Sequence, residues 1–148
     1  MRNLIKNSKW APGPTGSPQY FSGVGPITYD KVSIDGYRPC SITMIMPGNA
    51  QDYYDLLINV MGHPSINFGY TIRAITADYI YLVAEFTDRM RMPITTTQKN
   101  ITNKISHDFQ EVLSKFTIPS SAAYVKLSIK FMGRITACTY YAPVAYFG

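Results

Sequence analysis

The sequence is poor in charge and in several chemically reactive residue types. Only 16% of its 148 residues are Asp, Glu, Lys or Arg, against roughly 25% in an average soluble domain. It has two cysteines, two histidines and one tryptophan, and neither cysteine lies in a metal-binding spacing such as CxxC. No apolar run approaches the ~18–20 residues that a transmembrane helix needs. We therefore expect no metal, no cofactor and no membrane insertion.

The positive charge is scattered along the chain. The net charge is +5, but no run of five or six like charges indicates a nucleic-acid-binding arm, so we expect no nucleic acid partner. The first thirteen residues, MRNLIKNSKWAPG, lack the apolar stretch of a secretion signal. The chain is then a mature fragment, or a protein that leaves the cell without that signal, as phage and spore proteins do. Met1 before a predicted first strand favours the second, and we expect an extracellular, virion or spore-surface location.

The two cysteines, Cys40 and Cys138, allow two interpretations. Unpaired cysteine is among the most buried residue types, which favours two buried free thiols. A disulfide is the alternative. It would close a loop of about a hundred residues and add on the order of 4–5 kcal/mol in the chain-entropy model, and it would imply an oxidising location.

Alternation with a period of two is the strongest pattern in the chain. In residues 125–131, apolar side chains alternate with Lys126, Ser128 and Lys130, which predicts a strand with one buried face. Similar patterns predict strands over residues 41–46, 54–60, 68–76, 79–86, 109–118, 135–140 and 144–147. We expect a turn at 47–49 and a surface loop or ragged strand over 94–108. The fold class is therefore an all-β, two-layer antiparallel sandwich (jelly roll) of about eight or nine strands.

The first forty residues form a different segment of the same domain as the sandwich, which spans residues 41–148. A short first strand is expected at residues 3–7, followed by an arm rich in Pro and Gly that cannot be a helix or a central strand. Apolar side chains within the segment indicate that it docks onto something. It docks either onto its own sandwich, which we favour, or onto a neighbouring subunit as an assembly arm. The residues in question are Trp10, Tyr20, Phe21, Val24 and Ile27.

A strand ending at Pro119, a turn at Ser120 and Ser121, and the long alternating strand that follows together resemble one known family. They are similar to the penultimate region of the carbohydrate-binding-module type of β-jelly roll, also called the galactose-binding-like sandwich. The resemblance covers residues 3–7, 68–86 and 109–147, and it implies the fold and a possible sugar ligand. Many members also hold a structural calcium through acidic residues after the first strand and before the last. Residues 8–10 (Ser-Lys-Trp) and 142–143 (Ala-Pro) replace them here, so we expect no calcium.

Catalytic motifs are missing from the sequence. His63 and His107 have no second metal ligand three or four residues away, and the Gly-rich segment lacks the GK[ST] ending of a P-loop. Glycoside hydrolysis requires two facing carboxylates. Of the two glutamates, Glu85 is the more interesting because it lies opposite an apolar strand face, but an ordinary solvated carboxylate is the simpler interpretation. We expect that the protein is not an enzyme.

The twelve tyrosines provide the basis for a binding hypothesis. Flat aromatic rings match the apolar C–H faces of sugars and lose little rotamer entropy on binding. If the strands that carry them adjoin in one sheet, their outward faces form a glycan-binding surface. The alternative is that these tyrosines pack under loops or at a subunit contact. The candidate residues are Arg73, Tyr79, Tyr81, Glu85, Tyr124 and Tyr140.

These observations rank three functions. The first is a non-catalytic structural protein that self-assembles, as a subunit of a phage particle, spore coat or extracellular filament. Its partners would be further copies of itself, as a homo-oligomer, or other structural subunits. The second is a carbohydrate-binding module that recognises a cell-surface or polysaccharide glycan. An enzyme ranks third.

Overall fold

The computed structural model describes residues 2–10, 18–30, 34 and 36–148. It confirms the predicted all-β antiparallel sandwich, with nine strands in the described part. Within these ranges, no helix has the length and apolarity to traverse a lipid bilayer. The strands are β1 (Phe21–Val24), β2 (Ile27–Tyr29), β3 (Cys40–Tyr54), β4 (Ile58–Asn59), β5 (Ser65–Arg73), β6 (Thr76–Thr87), β7 (Pro93–Asn100), β8 (Gln110–Thr117) and β9 (Tyr124–Phe147), with a 3-10 turn at Thr102–Lys104.

Two long strands, β3 and β9, pass through both layers of the sandwich. The first half of β9 pairs with β6 and with the second half of β3, while its second half pairs with β5 and with the first half of β3. The front layer therefore has the order β7–β6–β9–β3–β1, and the back layer has the order β8–β5–β9–β3–β2. Every pair is antiparallel.

Irregular positions let the two long strands change layer. Pairing between β3 and β9 shifts register around Met44 and Gly48, so the turn predicted at 47–49 is wrong and the strand continues through a bulge. In β9, Gly133 and Ala137 have positive φ angles of 81° and 48°. The prediction of separate strands at 135–140 and 144–147 is also wrong. Pro143 is accommodated inside β9 because it follows an irregularity at Ala142, whose φ is 52°.

The core lies between the two layers and forms a single cluster. The alternation predicted for residues 125–131 is present, with Lys126 and Lys130 on the opposite side of the strand from the buried residues. Complete burial of one Val, Leu, Ile or Phe side chain stabilises the fold by about 1.5–3 kcal/mol. The fully buried residues include Ile80, Leu82, Ala84 and Phe86 of β6, Val125, Leu127, Ile129 and Phe131 of β9, and Ile66, Phe68, Tyr70 and Ile72 of β5.

The described residues of the N-terminal segment pack against the sandwich of the same chain. Trp10 is only 1% exposed, and its ring centroid lies 5.4 Å from that of Phe21 and 5.6 Å from that of Tyr140. Both β1 and β2 pair with β3. Residues 11–17, 31–33 and 35 of the predicted arm lie outside the described residues.

Three local strand predictions change. Residues 3–7 form no strand: residues 3–5 are irregular, and a turn covers residues 6–9. The Asn3 side chain accepts a hydrogen bond of 3.0 Å from the Ile5 amide, in place of a strand partner. Within 54–60, Tyr54 ends β3 and only Ile58–Asn59 forms a further strand, since the Asp55 amide donates instead to the Tyr20 carbonyl at 2.7 Å. The polar region 94–108, predicted as a surface loop or a ragged strand, contains most of a regular strand, β7.

Candidate functional site

The outward side of the front layer, which we call the front face, brings side chains of five strands together. Cross-strand registers arrange these side chains in parallel rows. Neighbouring side chains in such a row lie about 4.5–5.5 Å apart at their Cβ atoms. The upper row is Asn100, Tyr81, Lys130, Gln51 and Val24; the middle row is Gln98, Val83, Ser128, Tyr53 and Ser22; the lower row is Thr96, Glu85 and Lys126.

Tyrosine rings stand on both sides of the central strand β9. The rings of Tyr79 and Tyr81 are nearly parallel, with centroids 6.2 Å apart, and Tyr79 is 50% exposed. On the other side of β9, the Lys126 ammonium lies 4.7 Å from the ring centroid of Tyr53, which is a cation–π contact. Partial burial, and then the nearby Glu85 carboxylate, raise the pKa of Tyr53.

Long side chains lean inward over the middle of the front face. Ser128 and Val83 point outward in the register and are nevertheless buried. Gln51 Nε2 donates a hydrogen bond of 2.8 Å to Ser128 Oγ, and Lys130 Nζ donates one of 3.4 Å to Gln98 Oε1. Because Gln98 pairs with Val83, the Lys130 side chain reaches diagonally across β6 to the Val83 row. The result is a shallow floor flanked by tyrosines.

A small depression opens beside this floor, at the β1–β3 side. Its volume is about 110 Å³. It would admit one polar substituent of a larger ligand, because the pockets that hold whole drug-sized ligands measure about 300–1,000 Å³. Its lining residues are Val24, Asn49, Ala50, Gln51, Tyr53 and Lys130.

Four of the six sequence-predicted glycan residues lie on the front layer. Tyr79, Tyr81 and Glu85 belong to the face itself. Tyr124 pairs with Thr87 at the lower end, where the Arg91 guanidinium lies 6.0 Å from the centroid of its ring. The sequence placed these residues on one face because side chains alternate in β6 and β9, and the two strands are neighbours in the structure.

Two predicted residues do not belong to the front face. Arg73 is at the end of β5 in the back layer, with its guanidinium 4.9 Å from the ring centroid of Phe109. Tyr140 is fully buried. The inward set of β9 is odd-numbered up to Ile135 and changes parity at the Ala137 bulge, which turns Tyr140 into the core.

Tyr53 and Gln51 were missed. Both belong to the second half of β3, which the predicted turn at 47–49 separated from the strand before it. The available signal was a short alternation after the glycine, in which Gln51 and Tyr53 point outward and Ala50, Asp52 and Tyr54 point inward.

The predicted assembly-arm residues divide into two groups. Trp10 and Phe21 are buried in the core of their own chain, and Tyr20 and Ile27 pack against it, so these four are not a free docking face. Val24 is exposed on the front face at the edge of the depression. The described part of the segment is therefore packed onto its own sandwich.

Ionisable groups of the core lie away from the front face. Cys40 and Cys138 are buried free thiols on adjacent strands, and burial raises the pKa of Cys138 to about 12. Among the described residues, no group of three or more His, Cys, Asp and Glu is placed to hold a metal. The three rows of the front face contain one carboxylate, Glu85, whereas glycoside hydrolysis uses two.

No family model matches the sequence, and no curated protein sequence does. Several solved structures are similar in fold to this chain. A family 61 carbohydrate-binding module in complex with β-1,4-galactotriose has a TM-score of 0.63 and 9% identity, and the match covers all of both chains. A family 4 carbohydrate-binding module has a TM-score of 0.62 and 15% identity, with 97% of this chain and 99% of that chain covered.

Some similar structures are parts of enzymes. The enzymatically active domain of bacteriophage CBA120 tailspike protein 4 has a TM-score of 0.69 and 9% identity; the match covers 99% of this chain and 21% of that chain. At such low identities the comparisons establish the fold. That fold is the carbohydrate-binding-module-like β-jelly roll that the sequence resembled.

Proposed function

We propose that this chain is a non-catalytic, extracellular glycan-binding module and that the front face is its binding surface. The observation that carries the proposal is the grouping of Tyr53, Tyr79 and Tyr81 with hydrogen-bonding side chains on one open sheet face. Similar structures include modules described as bound to β-1,4-galactotriose and as xylan-binding. These comparisons favour glycan binding over the assembly role that the sequence placed first.

The proposed contacts follow from the chemistry of sugars. A pyranose ring has a flat C–H face that can pack on the exposed ring of Tyr79 and the half-buried ring of Tyr81. The near-parallel orientation of these two rings suits consecutive units of an extended chain. Sugar hydroxyls then exchange hydrogen bonds with Gln51 and Glu85. Because these groups lie on paired strands, little conformational entropy is lost when the ligand binds.

Affinity gel electrophoresis with soluble polysaccharides tests this function. We expect at least one polysaccharide to retard the protein, and the Tyr79→Ala, Tyr81→Ala double variant to lose that retardation. Tyr146→Ala, in the part of β9 that belongs to the back layer, is the matched control and should migrate like the parent protein. Equal retardation of the front-face variant and the parent would exclude this face as the site.

A second function, homo-oligomeric assembly in a phage particle, spore coat or filament, is favoured by one separate observation. Strand β7 pairs only with β6 in the described structure, and its residues are exposed except for the half-buried Thr97. Because the Ile101 amide donates to the Ile80 carbonyl, alternation directs the backbone groups of Thr96 and Gln98 away from β6. An open edge of this kind, whose one charged residue is Lys99, is a template for pairing with another chain.

Light scattering coupled to size-exclusion chromatography tests the assembly role. A Thr96→Pro variant removes one outward donor without removing a bond to β6. We expect an oligomer of the parent protein and dissociation of the variant. A parent protein that is monomeric at all accessible concentrations would exclude this second function and leave glycan binding unaffected.

A further inference from the structure

The front face contains two lysine side chains that form no ion pair within the described structure. Lys126 and Lys130 both extend from the outward side of β9. Among the described residues, the one ion pair joins His107 to Asp108 on an exposed loop, so neither lysine is paired with a carboxylate. Their neighbours are instead the ring of Tyr53 and the amide oxygen of Gln98.

The two ammonium groups are positioned within the face rather than free in solvent. Both lysine side chains are half-buried, and each leans to a different side of β9: Lys126 over Tyr53, and Lys130 towards Gln98. Their Cα atoms are separated by four residues of strand, which is roughly 13 Å at 3.3 Å per residue. At this separation the two lysines address two different groups of an extended ligand.

A neutral ligand would fit this arrangement poorly. Covering the face would remove water from both ammonium groups, and burying a charge is unfavourable unless it is paired. Glu85, directly opposite Lys126 in the register, compensates at most one of the two charges. A ligand with an anionic group near each lysine would form charge-assisted hydrogen bonds, which are stronger than those between neutral groups.

We infer that the front face binds an acidic polysaccharide, one that carries carboxylate or sulfate groups along its chain. This inference rests on the proposed glycan-binding function and names its substrate class. In this arrangement the tyrosines contact the sugar rings, while Lys126 and Lys130 contact two of the acidic groups.

Chemically matched polymers provide the test. Isothermal titration calorimetry would compare carboxymethylcellulose with hydroxyethylcellulose, and dextran sulfate with dextran, so that the two pairs separate carboxylate from sulfate. We expect at least tenfold tighter binding to the acidic member of one pair. Binding should weaken about tenfold or more in the Lys126→Gln, Lys130→Gln double variant, and also at 0.5 M NaCl, because salt screens exposed charges.

The control variant removes two positive charges from the back layer instead of the front face. The Arg73→Gln, Lys115→Gln double variant acts on the outward side of the back layer and should leave the affinity unchanged. Equal weakening in both double variants would show attraction by net charge alone and overturn the inference.

The remaining outcomes separate this inference from the proposed function. Equal affinity for the acidic and neutral members of a pair, with no effect of the lysine substitutions, would overturn the acidic ligand and leave glycan binding in place. Absence of binding to any of the four polymers and to neutral galactan and xylan would overturn both.

Discussion

The Tyr140 hydroxyl donates a hydrogen bond of 3.0 Å to Asp52 Oδ2 in the interior of the sandwich. Both residues are fully buried, and the other carboxylate oxygen of Asp52 has no hydrogen-bond partner in the described structure. Burial raises the pKa of Asp52 from its ordinary 3.8 to about 7, and the Tyr140 bond lowers it only in part. A buried carboxyl group of this kind links the stability of the fold to pH.

The stability of the protein should fall as the pH rises from about 4 to about 7. Below pH 3.8 Asp52 is protonated in the folded and unfolded states and contributes no difference. Between 3.8 and about 7 the unfolded chain has released a proton that the folded chain still binds. At 1.36 kcal/mol per pH unit, the folded state loses up to about 4 kcal/mol relative to acidic pH. Urea unfolding from pH 4 to 8 measures this dependence.

Asp52→Asn should remove most of that dependence, because the amide keeps an acceptor for Tyr140 and cannot ionise. The variant should be more stable than the parent protein at pH 8, and their difference should shrink towards pH 4. Asp108→Asn, at an exposed position, is the control and should follow the parent curve. A pH dependence unchanged in Asp52→Asn would contradict the assignment to this carboxyl group.

The sequence predicted the layers better than the path of the chain between them. Alternation over 125–131 and 79–86 identified two adjoining front-layer strands, because each has one face in the core. A bulge has no comparable signal in the sequence. Its one additional residue moves every later side chain of the strand to the opposite face. That is why Tyr140 was assigned to the surface and why the second half of β3, with Tyr53, was missed.

The residues of the site could be predicted only where they lie on one strand or on strands that adjoin. Tyr79, Tyr81 and Glu85 share a face by alternation within one strand, which sequence shows directly. Arg73 was placed with them on the assumption that β5 adjoins β6 in one layer. The two strands are consecutive in the chain, yet the short connection between them crosses from the back layer to the front.

Trp10 should be essential for stability and irrelevant to oligomeric state. It packs against Phe21, Tyr70 and Tyr140 in the core of its own chain. Trp10→Ala should therefore lower the free energy of unfolding by about 3–5 kcal/mol, measured by urea titration. Val24→Ala, at an exposed position of the same segment, should change it by less than about 0.5 kcal/mol. Loss of an oligomer in Trp10→Ala without loss of monomer stability would indicate docking onto a neighbour instead.

Gly133 is required where β9 passes between the layers. Its φ is 81°, and a Cβ atom there would lie 2.6 Å from Asp78 Oδ2, which accepts a hydrogen bond from the Arg134 amide. Gly62 has a φ of 82° but no atom within 4 Å of its Cβ position. Substitution of Gly62 therefore measures the cost of the positive φ angle without a steric clash. Gly62→Ala should lower stability by about 1–2 kcal/mol, and Gly133→Ala by clearly more. Equal losses in thermal unfolding would show that the Asp78 contact is unimportant.

The two cysteines should be unreactive until the protein unfolds. Burial raises the pKa values of both thiols, so that almost no thiolate is present at pH 8, and the thiolate is the reactive form. Ellman's reagent at pH 8 should detect neither Cys40 nor Cys138 in the folded protein and both in 8 M urea without reductant. If urea releases no thiol until a reductant is added, the two cysteines form a disulfide. Rapid labelling of the folded protein would instead mean that the core opens readily around β3 and β9.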